Sequence, residues 1–111
     1  MNLLNLFRHP RELTDLSPDE LEAKIAEEQC VLIDVRTPRE YQSGHIGVAR
    51  SYPLGHEAEI VRDYRPEQDL VLICRTGHRS QAAAAELLKQ NFRKLSHLKG
   101  GMDTWKRAGK K

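Results

Sequence analysis

The chain has 111 residues, of which 31% are charged, 39% are hydrophobic and 5% are aromatic. A chain of this length forms one small core, and this composition excludes a disordered chain and a membrane-embedded one. The formal net charge is only +2, so the overall charge does not predict nucleic-acid binding. Because the sequence shows neither a transmembrane segment nor a leader-like apolar run with a cleavage site, we expect a cytoplasmic protein.

Residues 1–12 are predicted to form an N-terminal extension, and residues 13–111 the main domain. Leu3, Leu4 and Phe7 recur at helical spacing, which permits a short amphipathic turn. Such a turn could dock on a partner or on a membrane surface. We favour packing on the chain's own domain, or fraying, because termini are poorly ordered unless they are held.

The first helix is predicted to follow Ser17, which serves as its N-cap. Pro18 suits the first helical position, and Glu20 completes a capping box. This helix should end near Glu28. The next run, CVLIDV (30–35), is too short for a helix and too apolar for a half-exposed strand, which is typical of a buried parallel strand.

Helix and strand signals alternate along the rest of the chain. In chain order they predict a short helix in TPREYQSGH (37–45), a strand in ARSYPL (49–54), a helix in HEAEIVRDY (56–64), a strand in DLVLIC (69–74), a helix in RSQAAAAELLKQN (79–91), a strand and turn in KLSHLKGG (94–101) and a helix in MDTWKRAG (102–109). This order predicts an α/β fold with a mainly parallel sheet and helices on both faces. Ligands of such sheets bind beyond the carboxyl ends of the strands, where Cys74 falls.

The loop after Cys74 is cationic and contains a glycine. Its residues are Arg75, Thr76, Gly77, His78, Arg79 and Ser80. Gly77 lets successive amides turn inward, and the helix that starts near Arg79 adds its positive dipole end, so the loop is expected to hold an anion. Such surroundings favour the thiolate, the reactive form of cysteine. We therefore expect Cys74 to attack an anionic substrate or to carry an anionic adduct such as a persulfide.

The two cysteines, Cys30 and Cys74, are far apart and show neither CxxC nor His/Cys ligand spacing. This pattern favours a reducing compartment and predicts no metal site. His9, His56 and His97 likewise show no metal-ligand spacing. A buried cysteine can also act as a small hydrophobe, and that is the role we expect for Cys30 at the start of a core strand.

Three motifs give the chain a family resemblance: LIDVRTPREYQSGHI (32–46), LICRTGHRS (72–80) and LKGGMDTWKRAG (98–109). In this order and spacing, the chain resembles the single-domain rhodanese-like sulfurtransferases from about Leu16 to its end. The resemblance implies a five-stranded, mostly parallel α/β domain in which Cys74 accepts sulfur as a persulfide. It also implies that loop amides surround the sulfur, and that Arg75 and Arg79 face a thiosulfate-like anion.

The resemblance also assigns supporting roles around this loop. The matching residues are Asp34, Arg36 and Glu40, then Gly44, His45 and Ile46, and finally Gly100, Gly101 and Trp105, of which the last three are interpreted as structural. One segment departs from the family pattern. Family members often follow GHI with Pro-Gly-Ala, whereas this chain has Gly47, Val48 and Ala49, so the conformation of that turn stays open.

We predict a ping-pong sulfur transfer in which the Cys74 thiolate takes the outer sulfur of a donor such as thiosulfate and passes it to cyanide or a thiol. Arg75 and Arg79 would screen the leaving sulfite, and no cofactor is needed. A protein could also be the sulfur donor or acceptor. His78 could stabilise the thiolate or be only an exposed loop residue, and both interpretations stay open.

Two other functions stay open at this point. Phosphatases and arsenate reductases of the related fold also use a cysteine in an anion-binding loop, but they resemble Cys-x5-Arg. Here the spacing from Cys74 to Arg79 is Cys-x4-Arg, and Ile73 stands where those enzymes commonly have a histidine. The other alternative is a non-catalytic binding module, which would be expected to lack the cysteine or its basic loop.

Overall fold

Five strands and five α-helices alternate along the chain in a computed structural model, which describes residues 2–111. The strands are β1 (Leu13–Leu16), β2 (Val31–Asp34), β3 (Arg50–Ser51), β4 (Leu70–Ile73) and β5 (Leu95–Leu98). The helices are α1 (Pro18–Ala26), α2 (Pro38–Gln42), α3 (Glu57–Asp63), α4 (His78–Lys89) and α5 (Gly101–Arg107). A 3₁₀ helix, Leu3–Phe7, precedes β1.

The five strands form one parallel sheet in the order β1-β5-β4-β2-β3. Strands β2 and β4 run level with each other, since Val31 lies opposite Leu70 and Asp34 lies opposite Ile73. Cys74 directly follows Ile73, so it lies at the carboxyl edge of the central strand. The predicted α/β class and parallel sheet are confirmed.

The side chains of β4 divide the core between the two faces of the sheet. One cluster contains Leu70 and Leu72 with Ile60 of α3 and Leu87 of α4, and the other contains Val71 and Ile73 with Leu21 of α1 and Trp105 of α5. Helices therefore cover both faces, as predicted. A strand buried on both faces is continuously apolar, which explains the run LVLI.

Three local features differ from the sequence-based expectations. Helix α1 ends at Ala26, earlier than predicted, and Glu28 beyond it takes a positive φ of 55°. Cys30 precedes β2 instead of starting it and is only partly buried. Strand β1 is not predicted from the sequence because it is an edge strand, in which Leu13 and Leu16 are buried and the two residues between them are exposed.

The 3₁₀ helix lies against α4, where the Gln81 side-chain amide donates a hydrogen bond of 2.9 Å to the Leu6 carbonyl. Its apolar side chains Leu3, Leu4 and Phe7 are exposed. This is the segment in which the spacing of apolar residues permits an amphipathic turn. Within residues 2–111, none of the helices has the length and apolar character needed to cross a bilayer.

Candidate active site

Cys74 is buried at the base of the loop that joins β4 to α4. The amide of Gly77 donates a hydrogen bond of 2.9 Å to Sγ, and the hydroxyl oxygen of Ser80 lies 3.6 Å from the same sulfur. The Gly77 contact is the kind of amide contact expected of this loop. The Cys74 side chain is closed off from solvent in this structure.

Gly77 sets the direction in which the chain leaves this loop. It precedes α4 as its N-cap, with φ of 101°, a left-handed conformation that L side chains rarely adopt. Helix α4 begins at His78, one residue before the predicted start. The sulfur therefore lies near the positive end of a 12-residue helix, which stabilises a nearby negative charge.

Two backbone amides at the start of α5 hold the backbone of the loop by hydrogen bonds. The Met102 amide donates to the Cys74 carbonyl at 2.8 Å, and the Asp103 amide donates to the Arg75 carbonyl at 3.1 Å. A Cβ atom at Gly101 would lie only 2.3 Å from the Cys74 carbonyl oxygen. The glycine pair of the closing motif thus permits direct backbone contact between α5 and the loop.

Arg79 forms a bidentate ion pair with Glu40 of α2, with N···O distances of 2.6 and 2.9 Å. Glu40 is itself fixed by a capping box with Thr37, the N-cap of α2. Hydrogen bonds from Arg79 lower the pKa of Glu40 to about 2, and the same contact raises the pKa of Arg79. Arg79 therefore meets the loop with part of its charge already compensated by a residue predicted only to support the site.

Arg75, Thr76 and His78 are the exposed residues of the loop. Arg75 is 65% exposed, and its Nε lies 3.7 Å from an Asp103 carboxylate oxygen. The Thr76 hydroxyl lies 3.0 Å from Nδ1 of His78, whose ring stands 5.5 Å from the ring of Phe7. His78 is exposed at the rim of the loop, where it borders the 3₁₀ helix.

Asp34 and Arg36 form a buried ion pair at the end of β2, with a shortest N···O distance of 2.8 Å. The same guanidinium donates to the Gly44 carbonyl at 2.9 Å, which ties the turn after α2 to the sheet. His45 Nδ1 lies 2.7 Å from the Tyr41 carbonyl oxygen. These contacts hold the backbone around the site and do not reach the sulfur.

The turn at residues 47–49, where the chain departs from the family pattern, is closed by hydrogen bonds. The Ala49 amide donates to the Ile46 carbonyl at 2.8 Å, and the Tyr41 hydroxyl donates to the Ala49 carbonyl at 2.6 Å. Gly47 is not among the glycines with positive φ. This turn therefore does not depend on the special conformational freedom of glycine.

Sequence reasoning missed a polar cluster beside the loop. Ser80 Oγ lies 2.7 Å from His97 Nδ1, and His97 Nε2 lies 2.8 Å from Asp15 Oδ1. His9 Nε2 lies 2.5 Å from the same carboxylate oxygen. The sequence signal was the histidine in the predicted strand and turn KLSHLKGG, and in the structure β5 is buried throughout its length.

The charges in this cluster affect one another. Burial lowers the pKa of His97, although the facing Asp15 carboxylate opposes that shift. Burial alone would raise the pKa of Asp15, but hydrogen bonds from His9 and His97 lower it overall. The cluster therefore combines an ionised carboxylate with a buried imidazole that resists protonation.

A pocket of about 560 Å³ opens beside the cluster, and His9, Asp15, Gly77, His97 and Lys99 are among its lining residues. The side-chain N and O atoms of His9, Asp15 and His97 lie within 4.8 Å of one another, a proximity that their sequence spacing does not indicate. The fold thus brings together residues for which the sequence analysis noted no metal-ligand spacing. Hydrogen bonds within the group satisfy these atoms, so we describe it as a hydrogen-bonded cluster.

Comparison with known proteins places this geometry in a family. The chain is 32% identical to the thiosulfate sulfurtransferase GlpE of Pseudomonas syringae pv. syringae, over 86% of this chain and 89% of that protein. It is 31% identical to a sulfurtransferase of Allochromatium vinosum, over 87% of this chain and 92% of that protein. Both relatives match nearly end to end.

A solved structure from Rhodopseudomonas palustris, of a protein of unknown function described as a possible tyrosine phosphatase, superposes with a TM-score of 0.83. The superposition covers 100% of this chain and 93% of the Rhodopseudomonas palustris chain. Because the two sequences are only 23% identical, the match shows the fold alone. A family model for the rhodanese-like domain matches residues 17–108, which include the first two motifs, the third motif except Gly109, and the whole Cys74 loop. The chain belongs to the rhodanese-like domain family.

Proposed function

We propose that this protein is a sulfurtransferase that moves sulfane sulfur from a thiosulfate-like donor to cyanide or a thiol through a persulfide on Cys74. The observation that carries this proposal is the Gly77 amide, which donates to Cys74 Sγ at 2.9 Å beside the start of α4. An amide and a helix N-terminus stabilise a thiolate and equally stabilise a persulfide anion. Relatives that match nearly end to end are named sulfurtransferases.

The reaction has two balanced steps. The Cys74 thiolate attacks the outer sulfur of thiosulfate, a new S–S bond forms, and the original S–S bond breaks so that sulfite leaves with its electron pair. The acceptor then attacks the terminal sulfur, and the Cys74 thiolate leaves with the electrons of the S–S bond. Neither step requires a cofactor or an external oxidant.

The arginines contribute to this reaction through charge. Arg79 lies at the first turn of α4, near the buried end of the loop, and Arg75 is exposed at its outer side. Arg75 is therefore suited to attract the anionic donor, and Arg79 to hold the anion beside the sulfur, where its interaction with Glu40 keeps the guanidinium in place. Because Cys74 is buried, donor binding includes displacement of the exposed residues Arg75 and Thr76.

A protein thiol is also proposed as a sulfur acceptor, with the chain acting in the cytoplasm. The exposed apolar side chains of the 3₁₀ helix lie beside the loop, since the Phe7 ring stands 5.5 Å from that of His78. Two distant free cysteines suit a reducing compartment. The small-molecule reaction does not depend on this additional role.

Intact-protein mass spectrometry tests the proposal directly. The wild-type protein, Cys30→Ser and Cys74→Ser are each incubated with thiosulfate and then with cyanide. We expect a gain of one sulfur atom in the wild type and in Cys30→Ser, reversed by cyanide, and no gain in Cys74→Ser. An adduct that persists in Cys74→Ser, or no adduct in the wild type together with hydrolysis of a phosphate ester or reduction of arsenate, contradicts the proposal.

A further inference from the structure

A continuous series of polar contacts leads from the buried sulfur of Cys74 to Asp15 on β1, an edge strand of the sheet. Cys74 Sγ lies 3.6 Å from Ser80 Oγ, Ser80 Oγ lies 2.7 Å from His97 Nδ1, and His97 Nε2 lies 2.8 Å from Asp15 Oδ1. Cys74 and Ser80 are fully buried, and His97 is 3% exposed. The geometry thus connects the sulfur to a carboxylate through a hydroxyl and an imidazole.

The protons in this series can be assigned from donor and acceptor chemistry. An ionised carboxylate only accepts, so the proton on a neutral His97 lies on Nε2 and is donated to Asp15. The Nδ1 atom then has a lone pair 2.7 Å from Ser80 Oγ, closer than the Gly77 carbonyl oxygen at 3.0 Å, which is the other acceptor of the single Ser80 hydroxyl proton. The Ser80 oxygen is left to accept from the Cys74 thiol, as their 3.6 Å separation allows.

We propose that Ser80, His97 and Asp15 form a proton relay that deprotonates Cys74. The S–H bond of Cys74 breaks as its proton moves to Ser80 Oγ, and the Ser80 hydroxyl proton moves to His97 Nδ1. The products are a thiolate and an imidazolium, and Ser80 stays neutral. His97 acts through Ser80 and Asp15 acts through His97, so both are positioning residues. The relay rests on the proposed function because it makes Cys74 the nucleophile.

The groups that face His97 suit this task. Asp15 of β1 stabilises an imidazolium, whereas burial, His9 from the N-terminal segment and Lys99 after β5 all favour the neutral ring. A lowered pKa therefore keeps His97 neutral before the transfer, with its Nδ1 lone pair free, and Asp15 is the group that opposes this shift and supports the protonated ring. The charged products are each stabilised where they form, the thiolate by the Gly77 amide and the imidazolium by Asp15.

The relay also has an outlet to solvent. Asp15 and His97 line the pocket of about 560 Å³, which they share with His9 and Lys99. After the thiolate has reacted, the proton on His97 can pass to water there. Without this outlet, the His97 ring would stay protonated after the Cys74 thiolate has reacted.

Thiolate ultraviolet absorbance as a function of pH tests the relay without a sulfur donor. All proteins carry Cys30→Ser, so that Cys74 is the remaining cysteine of the two in the chain, and a protein lacking both thiols provides the baseline. Buffers contain a chelator. The variants are His97→Gln, Ser80→Ala and Asp15→Asn, and the control is His56→Gln, which alters an exposed histidine paired with Glu59.

We expect the midpoint of thiolate formation to rise by about one pH unit in His97→Gln and in Ser80→Ala, which is about tenfold less thiolate at neutral pH, and by less in Asp15→Asn. The control should match its parent. An unchanged midpoint in a folded His97→Gln protein overturns the relay. If that variant does not fold, an unchanged midpoint in Ser80→Ala, whose truncation is small, overturns it equally.

Ring NMR of His97 provides a second readout that a merely structural role would not move. In the protein with Cys74, the thiolate should keep the ring protonated to a higher pH, because the proton that leaves the thiol is the one that the ring holds. In Cys74→Ser the ring should be neutral at that pH. Identical ring titrations in the two proteins contradict the relay. A midpoint shift without any persulfide would leave the relay standing and reject the proposed function, whereas a persulfide without a shift would do the reverse.

Discussion

The two cysteines lie at opposite ends of two neighbouring strands, Cys30 at the amino ends and Cys74 at the carboxyl ends. Cys30 precedes β2 and Cys74 follows β4, and these strands are parallel neighbours. Burial raises the pKa of the Cys30 thiol, which lies near the ion pair of Lys24 and Asp69. Cys74, although more deeply buried, receives a hydrogen bond from the Gly77 amide. The two thiols therefore differ in the contacts that the sulfur makes as well as in depth of burial.

The direction of the helices explains this difference. In a parallel sheet, the helices start near the carboxyl edge and end near the amino edge. Helix α4 begins at His78, just after Cys74, and α5 begins at Gly101 against the Cys74 backbone, whereas α1 ends at Ala26, shortly before Cys30. A helix start stabilises a thiolate, and a helix end destabilises it.

The largest effect is expected where α5 touches the loop. Gly101→Ala places a Cβ 2.3 Å from the Cys74 carbonyl oxygen at a φ of 63°. Because the neighbouring atoms are backbone, α5 and the loop must separate. We expect the free energy of unfolding to fall by about 3 kcal/mol and thiosulfate turnover to be lost, as measured by chemical denaturation and by a sulfite assay.

Gly109→Ala is the matched control for this substitution. Gly109 has a similar φ of 75°, but a Cβ there would meet no atom within 4 Å. Gly109→Ala should lower the free energy of unfolding by about 1 kcal/mol, from backbone strain alone, and should retain thiosulfate turnover. Equal effects in the two variants would show that the contact with the Cys74 backbone is unimportant.

The next effect tests the charge at the reactive edge. Arg79→Ala should raise the KM for thiosulfate about tenfold with a smaller change in kcat, because the lost interaction is with the anionic donor. Arg65→Ala removes the same charge from an exposed site before β4 and should leave KM unchanged. Glu40→Gln frees Arg79 from its partner and should lower KM at low salt. If Glu40→Gln instead raises KM as much as Arg79→Ala, the pair acts by positioning the loop.

A smaller effect on stability follows from the same ion pair. Arg79 lowers the pKa of Glu40 from 4.5 to about 2. The contribution of the pair to the free energy of unfolding is therefore complete at pH values above the ordinary pKa of Glu40, and it is lost as the pH falls toward about 2. Glu40→Gln should lower Tm by about 3 °C at neutral pH, and this difference should vanish in acid. Glu20→Gln, in the capping box of α1, is the control substitution for the loss of a carboxylate.

Most of the fold could be predicted because its central strands are buried on both faces. The strand Leu70–Ile73 is apolar throughout, residues 31–33 are apolar up to Asp34, and capping residues such as Ser17 mark helix starts. Strand β1 could not be predicted, since an edge strand needs apolar residues only where it packs. Its place is decided by pairing with β5, a contact between residues far apart in sequence.

The site was only partly predictable for a similar reason. Cys74 and its loop are contiguous, so their composition alone indicated an anion-binding loop. The link between Ser80, His97 and Asp15 joins α4, β5 and β1, and no spacing in the sequence reports contacts between separate elements. The Glu40 contact with Arg79 likewise required the packing of α2 beside α4.

The smallest effect concerns Cys30, where the charges of Lys24 and Asp69 oppose each other. Burial is the main cause of its raised pKa, Lys24 lowers that pKa and Asp69 raises it. In a Cys74→Ser background, alkylation of Cys30 by iodoacetamide at mildly alkaline pH should be slower than that of a free cysteine. Asp69→Asn should speed it about twofold and Lys24→Gln should slow it by a similar factor. If Cys30 instead reacts faster than a free cysteine, the amino edge of the sheet also activates thiols, and helix direction cannot be the reason for the reactivity of Cys74.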